Sequence, residues 1–238
     1  MVRSYHFLNG HPGVEKLVRG LKLRYKFPDG CSIREMATKV KRGCVVCQAC
    51  EHPNWAIKGR YEMTPIPPAP FISVCVDIFS LPEVNWQENT YDALVLCVDR
   101  HSGWMIAQPS MHKGLTAEKC AHLLLDGGWT QFGVPSTITS DQGPQFVGQW
   151  FVTMCSRLGL RESFSQSHYP QANGRAEVAG QQLISLLRKL HAENEINWVE
   201  ALPRALRHIH DIIGEGGLSP YLILLVRERP LTGLACST

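Results

Sequence analysis

The chain lacks the features that would mark it as secreted or membrane-spanning. It has no apolar run near the length of about 18 residues that a transmembrane helix requires, and no hydrophobic signal at its N-terminus. Its nine cysteines are odd in number and scattered, which is not the pattern of a disulfide framework. It also has no internal repeat and no low-complexity tract. These absences predict a globular protein of a reducing compartment without a membrane partner.

The net charge of +3 is small, but the charges are unevenly distributed along the chain. Residues 1–60 contain 12 Lys and Arg against 4 Asp and Glu, whereas residues 61–238 contain 12 against 17. An excess of positive charge attracts the phosphates of nucleic acid. The first 60 residues are therefore candidates for phosphate contact, and the alternative is a solvated basic helix face.

A proline-rich stretch divides the chain. Residues 65–70 contain four prolines, which predicts a stiff, extended linker over 56–70. We therefore expect a small helical domain over 1–55, a larger domain over 71–213 and a tail over 214–238.

The larger domain has the pattern of a mixed α/β sheet. Apolar and β-branched runs predict strands near 71–79, 92–99, 103–109 and 134–141, and helical periodicity predicts helices near 115–127, 145–158 and from Glu177. Asn197 followed by Glu200 predicts the capped start of a last helix. Pro203 lies inside that helix and should kink or split it.

Two histidines and a C-x-x-C pair in the first domain predict a tetrahedral zinc site with His6, His11, Cys44 and Cys47 as ligands. Because the histidines are five residues apart, one regular helix would not direct both side chains the same way. Such a small module buries little apolar surface, so zinc would hold it together. Cys50 forms a second C-x-x-C with Cys47, which leaves another ligand pair open, as does a reduced, metal-free set of cysteines.

Three acids stand at informative places in the larger domain. Asp77 lies in the run FISVCVDIF, where alternation places it on one face with Phe71, Cys75 and Phe79. Asp141 ends the strand VPSTITSD. Glu177 opens a helix whose predicted core stripe is Ala176, Ala179, Leu183, Leu187 and Leu190. Carboxylates suit Mg²⁺, so we interpret Asp77, Asp141 and Glu177 as one metal-binding catalytic site, with surface or helix-cap carboxylates as the alternative.

The sequence around these acids resembles that of retroviral and LTR-retrotransposon integrases, nearest to the gypsy type. Thirty-five residues separate Asp141 from Glu177. SDQGPQF resembles the family's S-D-x-G-x-x-F, and HYPQANGRAE resembles its H-P-Q-x-x-G-x-x-E with a Tyr inserted after the His. GHPG around His11 and the C-x-x-C-Q from Cys44 to Gln48 resemble the family's His-His-Cys-Cys domain, which pairs Cys44 with Cys47. GLSPY resembles its post-core segment.

This resemblance implies an RNase H-like core with a five-stranded sheet flanked by helices, preceded by a helical zinc-binding domain. It implies a polynucleotidyl transferase that trims DNA 3′ ends and joins them to target DNA, with Asp77, Asp141 and Glu177 holding Mg²⁺ or Mn²⁺. It also implies a homo-oligomer that acts in the nucleus or nucleocytoplasm as part of a retroelement particle. The expected DNA-binding residues are Gln142, Gln145, Tyr169, Asn173, Arg175, Gln181 and Arg188.

One departure from the family pattern bears on activity. The family commonly continues E-R-x-N after the catalytic Glu, whereas this chain reads Glu177-Val178-Ala179-Gly180. Gly180 should lower helix stability by about 1 kcal/mol relative to Ala. We expect no counterpart within residues 214–238 of the small β-barrel or chromodomain that often follows the core in the family, and the resemblance is compatible with one piece of a longer polyprotein. The alternative function is a decayed or domesticated integrase that binds DNA or a partner; an RNase H-type nuclease is disfavoured by the zinc module and the 35-residue spacing.

Overall fold

The computed structural model describes residues 1–28, 30–50, 66–140, 156, 161–164, 174–214 and 216–228. Within these residues, the N-terminal part is a small helical module. Its helices are α1 (Val2–Leu8), α2 (Val14–Arg24), α3 (Ile33–Arg42) and α4 (Val45–Cys50). The core of the module is the cluster Tyr5, Leu17, Leu21 and Ala37. Burial of a large apolar side chain contributes about 1.5–3 kcal/mol, so this cluster alone is a weak source of stability.

A five-stranded mixed sheet follows. The strands are β1 (Ser73–Trp86), β2 (Asn89–Asp99), β3 (Met105–Ser110), β4 (Thr137–Ser140) and β5 (Arg161–Phe164), in the order β3-β2-β1-β4-β5. The first three strands are antiparallel, whereas β4 runs parallel to β1 and β5 parallel to β4. The sequence-based prediction of a mixed α/β fold is confirmed.

Helices cover both faces of the sheet and create two cores. On one face, Cys75, Leu94 and Leu96 pack against α7 (Gly174–Asn194) and α8 (Trp198–Asp211). On the other face, Val74 and Val76 pack against α5 (Ala117–Leu124) and Trp129. A π-helical turn (Leu125–Trp129) and α6 (Thr130–Phe132) continue α5, and α9 (Pro220–Leu225) follows α8. Since β1 and β2 contribute to both cores, they form the centre of the molecule.

The start of β1 differs from the prediction. Phe71 was expected on the face of Asp77, but it belongs to the core on the opposite face and stacks on Phe132 with ring centroids 5.1 Å apart. Its φ of 57° is left-handed, so the alternation of side chains begins only at Ser73. The strand is also longer than predicted, because a bulge between Ser80 and Val84 accommodates Pro82 without ending the pairing with β2.

The last long helix has the predicted cap and continues past Pro203. The Asn197 side chain accepts a hydrogen bond of 2.9 Å from the backbone N–H of Glu200, so the predicted cap is present. Of the two effects expected at Pro203, a kink or a split, the split is absent, because α8 continues from Trp198 to Asp211. Proline removes a single backbone hydrogen bond, and Pro203 lies on the exposed side of a helix whose other face is deeply buried.

The turn between β2 and β3 is organised by Asp99, whose side chain is fully buried. Its carboxylate accepts hydrogen bonds from Phe71 N (2.9 Å), Ser102 N (2.8 Å) and Ser102 Oγ (2.6 Å). We expect Asp99→Ala to lower the free energy of unfolding by about 3 kcal/mol, because two buried backbone N–H groups lose their acceptor. Urea denaturation measures this. Asp126→Ala, at an exposed position, is the control and should change stability by less than about 0.5 kcal/mol; equal effects of the two substitutions would contradict the expectation.

Candidate metal and catalytic sites

The four predicted zinc ligands lie together inside the N-terminal module. The donor atoms of His6, His11, Cys44 and Cys47 are all within 4.8 Å of one another, and all four side chains are buried. His11 Nδ1 lies 3.3 Å from Cys44 Sγ, and His6 Nε2 lies 3.4 Å from Cys47 Sγ. Two imidazole nitrogens and two sulfurs are a donor set that tetrahedral zinc prefers. The residues of this cluster therefore fit a zinc ion.

Local backbone geometry brings these ligands together. His6 lies in α1, whereas His11 follows the helix with a left-handed φ of 56°, just after Gly10 at 71°. The two histidines therefore do not share one regular helix, as their spacing predicts. Cys44 immediately precedes α4, and Cys47 lies within it. Cys50 is partly exposed and lies outside this group, so the structure brings together the Cys44–Cys47 pair.

The two histidines are held in the form that a metal requires. Burial lowers the pKa of His6 to about 4, with the neighbouring His11 as a further cause. Burial also lowers the pKa of His11. Removal of a cation from water disfavours its charged form, so both imidazoles are neutral at neutral pH. A neutral imidazole has a lone pair for a metal ion, which agrees with the donor set of the cluster.

The predicted acidic site is described only in part. Asp77 is half-buried in β1, and its Oδ1 accepts a 2.9 Å hydrogen bond from Ile78 N. Glu177 is exposed in the first turn of α7, where Gln181 Nε2 donates to its Oε1 over 3.4 Å. Asp141 lies outside the described residues. The parallel pairing of β1 with β4 extends to Val76 and Ser140, which precede Asp77 and Asp141 in the sequence.

Helix α7 lies on the same face of the sheet as Asp77. The predicted stripe of α7 is confirmed, since Ala176, Ala179, Leu183, Leu187 and Leu190 are all buried. Phe79 packs into this core, and the alternation of β1 places Asp77 on the same face between Cys75 and Phe79. A Cβ added to Gly180 would collide with the Phe79 ring, so the helix approaches β1 at Gly180. Because Glu177 precedes Gly180 by about one turn, Asp77 and Glu177 belong to one face of the molecule.

This contact makes a prediction about Gly180. Gly180→Ala should lower the free energy of unfolding by about 1–3 kcal/mol, since overpacking against Phe79 outweighs the gain in helix propensity of about 1 kcal/mol. Chemical denaturation of the single variant and of Gly180→Ala/Phe79→Leu measures the effect. The double variant should recover most of the loss, and Val178→Ala on the exposed side of α7 is the control. A stabilised Gly180→Ala protein would contradict the packing explanation.

The predicted DNA-binding residues are distributed over described and undescribed parts of the chain. Gln181 and Arg188 are exposed on α7, the helix that carries Glu177. Arg175 belongs to the first turn of α7. Gln142, Gln145, Tyr169 and Asn173 lie outside the described residues.

Two residues near the predicted zinc ligands were not predicted from the sequence. Glu193 Oε2 lies 3.6 Å from His11 Nε2, and Lys189 Nζ donates to the backbone oxygen of His11 over 3.4 Å. Both residues belong to α7, and 178 positions separate Lys189 from His11. No short-range pattern could have linked them to the cluster.

Comparison with known proteins agrees with this geometry. Residues 67–170 match the integrase core domain family. The chain is 31% identical to the Gag-Pol polyprotein of Feline leukemia virus over 142 residues, 59% of this chain and 8% of that protein. It is 28% identical to the Gag-Pol polyprotein of Avian reticuloendotheliosis virus over 221 residues, 93% of this chain and 18% of that protein. The chain thus spans only a small part of the polyproteins it matches.

Solved structures share the fold. The simian T-cell lymphotropic virus intasome in complex with PP2A regulatory subunit B56 gamma matches with a TM-score of 0.60 and 21% identity, over 97% of this chain and 77% of that chain. The HTLV-2 integrase catalytic core domain in complex with magnesium matches with a TM-score of 0.53 and 20% identity, over 66% of this chain and 98% of that chain.

The sheet and its helices share the fold of these integrase catalytic cores, and residues 67–170 match the integrase core domain family. A helical module with a His-His-Cys-Cys cluster precedes the sheet, and the resemblance to retroviral integrases predicted from the sequence is confirmed. Among the described residues, no helix is long and apolar enough to cross a membrane.

Proposed function

We propose that this chain is a metal-dependent polynucleotidyl transferase that trims DNA 3′ ends and joins them to target DNA. The arrangement of β1, β4 and α7 carries this proposal. Val76 and Ser140 pair on the adjacent parallel strands β1 and β4, and in the sequence Asp77 directly follows Val76 and Asp141 directly follows Ser140. Helix α7 brings Glu177 to the face of Asp77. Carboxylates from two neighbouring strands and a covering helix can converge on a small group of divalent cations.

The chain's own groups would hold and orient this centre. Asp77 and Asp141 would bind one Mg²⁺ or Mn²⁺, and Asp77 and Glu177 a second. Such ions supply stabilisation of the charge on the attacking and leaving oxygens of a phosphoryl transfer. The hydrogen bond from Ile78 N fixes the direction of the Asp77 carboxylate, and the contact with Gln181 orients Glu177. Water would be the nucleophile in trimming, and the DNA 3′-hydroxyl would be the nucleophile in joining.

The remaining parts of the chain would support binding. Arg188 and Gln181 on α7, together with Gln142, Gln145, Tyr169, Asn173 and Arg175, would contact the DNA backbone near the acids, and the basic first 60 residues would add phosphate contacts. His6, His11, Cys44 and Cys47 would hold Zn²⁺ and stabilise the N-terminal module.

The dimeric and trimeric forms of the HTLV-2 catalytic core support a homo-oligomer. We also propose the nucleus or nucleocytoplasm as the place of action.

A strand-transfer reaction tests the proposal. Purified chain is incubated with a labelled blunt DNA duplex, a target plasmid and Mg²⁺ or Mn²⁺, with a metal-free reaction alongside. Joined products that require the divalent ion would support the transferase. DNA binding without joining, by folded protein with zinc bound, would instead favour the alternative of a decayed or domesticated integrase that only binds DNA. Cleavage of RNA–DNA hybrids without joining would favour an RNase H-type nuclease.

A further inference from the structure

The C-terminal part of α7 reaches the His-Cys cluster. Glu193 Oε2 lies 3.6 Å from His11 Nε2, and the side chain of His11 is fully buried. His11 Nδ1, the other ring nitrogen, faces the sulfurs of Cys44 (3.3 Å) and Cys47 (3.7 Å). The two ring nitrogens of His11 therefore face different groups: Nδ1 faces the sulfurs of the cluster, and Nε2 faces α7.

Buried His11 Nε2 has no hydrogen-bond partner at normal distance among the described residues. The Glu193 carboxylate is close enough to become that partner with a movement of a few tenths of an ångström. Arg204 Nη2 lies 3.9 Å from the same Glu193 oxygen, so a cation on α8 helps to keep the carboxylate in place.

Backbone contacts hold the His11 loop against the same helices. Lys189 Nζ donates to the backbone oxygen of His11 over 3.4 Å. A Cβ added to Gly10 would lie 2.9 Å from Leu186 Cδ1 and 3.1 Å from the ring of His208, so the loop packs closely on both α7 and α8. The loop that carries Gly10 and His11 is thus held by contacts with helices outside the N-terminal module.

A metal-ligating histidine usually donates its second N–H to a carboxylate or a carbonyl, which fixes the tautomer and the ring orientation. We propose that Glu193 is a positioning residue for the zinc site, which holds His11 with Nδ1 toward Cys44 and Cys47. The inference rests on the proposed zinc site and deepens it. Since Glu193 and Glu177 lie on one helix, zinc binding would also fasten the N-terminal module to the helix that carries a predicted catalytic acid.

Zinc affinity of the full chain tests this inference, measured by competition with a chromophoric chelator. Wild type should bind one zinc, and Glu193→Ala should bind it about 10- to 100-fold more weakly. Glu193→Gln should lose less, because its amide oxygen still accepts the His11 N–H. Glu195→Gln, two residues away and outside the cluster, is the matched control for the change of charge and should stay within about twofold of wild type.

Two further readouts separate positioning from a general loss of structure. The Co²⁺-substituted Glu193→Ala protein should show an altered ligand-field spectrum, whereas the Glu195→Gln protein should not. Chelation of zinc from wild type should speed amide exchange in residues 186–194, with little change in β1 to β3.

A wild-type chain that binds no zinc would overturn the zinc site and this inference together. Stoichiometric zinc in wild type, with unchanged affinity and spectrum in Glu193→Ala, would overturn the inference alone.

Discussion

Asp77→Asn and Glu177→Gln should each reduce strand joining by on the order of a thousandfold. An amide is neutral and a poor ligand for Mg²⁺, so either change removes a carboxylate that would bind the catalytic ions. Metal-ion stabilisation of a phosphoryl-transfer transition state is worth several kcal/mol, and each 1.36 kcal/mol is about a factor of ten in rate. Single-turnover joining of a labelled duplex measures the loss, and Asp141→Asn should behave alike.

The fold should survive these substitutions. Glu177 is exposed on α7, so its replacement by Gln removes no core contact. Glu83→Gln, at an exposed position of the same strand as Asp77, is the matched control and should keep wild-type joining. DNA binding and circular dichroism of all variants should match wild type. A folded Asp77→Asn or Glu177→Gln protein that retains more than about a tenth of the joining rate would remove that residue from the predicted metal site.

Local periodicity explains why much of the fold could be predicted. The alternation in β1 places Cys75 and Phe79 in one core and Val74 and Val76 in the other, as expected. The stripe of α7 and the cap at Asn197 were likewise visible, because each depends on residues within one or two turns of each other. Such features are independent of how distant segments meet.

Left-handed backbone conformations that the sequence does not indicate explain other differences between the predicted and the observed fold. Phe71, Gln87 and Glu88 adopt left-handed φ values of 57°, 46° and 65°, although none of them is a glycine or asparagine. Gln87 and Glu88 form the turn between β1 and β2, whose right-handed twist favours such angles. Nothing in the sequence indicates these angles. The length of the β1–β2 hairpin and the face of the sheet on which Phe71 lies could therefore not be predicted.

Tertiary contacts explain the remaining features that the sequence did not predict. Gly180 looked unfavourable because helix propensity considers only the helix itself, whereas the structure places the Phe79 ring directly against it. The His-Cys cluster could be found from the spacing of its ligands, but Glu193 could not, because its proximity to His11 depends on how α7 meets the module. The catalytic roles of Asp77, Asp141 and Glu177 stay predictions.

Loss of zinc should unfold the N-terminal module and leave the sheet intact. The module has a small core of Tyr5, Leu17, Leu21 and Ala37, whereas structural zinc in small domains contributes an apparent 10–16 kcal/mol of binding free energy at neutral pH. Chelation, or Cys44→Ser, should therefore cause rapid amide exchange over residues 1–50. Exchange over β1 to β3 should stay slow, because those strands lie between two cores of their own.

Cys50→Ser is the decisive control, since Cys50 belongs to the alternative C-x-x-C pair. Cys50 is partly exposed and outside the cluster, so its replacement should leave zinc content and exchange protection unchanged. Zinc content by mass spectrometry of the native protein, compared with exchange over residues 1–50, distinguishes the two pairs. If Cys50→Ser released the zinc and Cys44→Ser kept it, the ligand set would be wrong. If neither substitution released it, the dependence of the module on this cluster would be refuted, because a structural zinc site cannot lose a thiolate without a large loss of affinity.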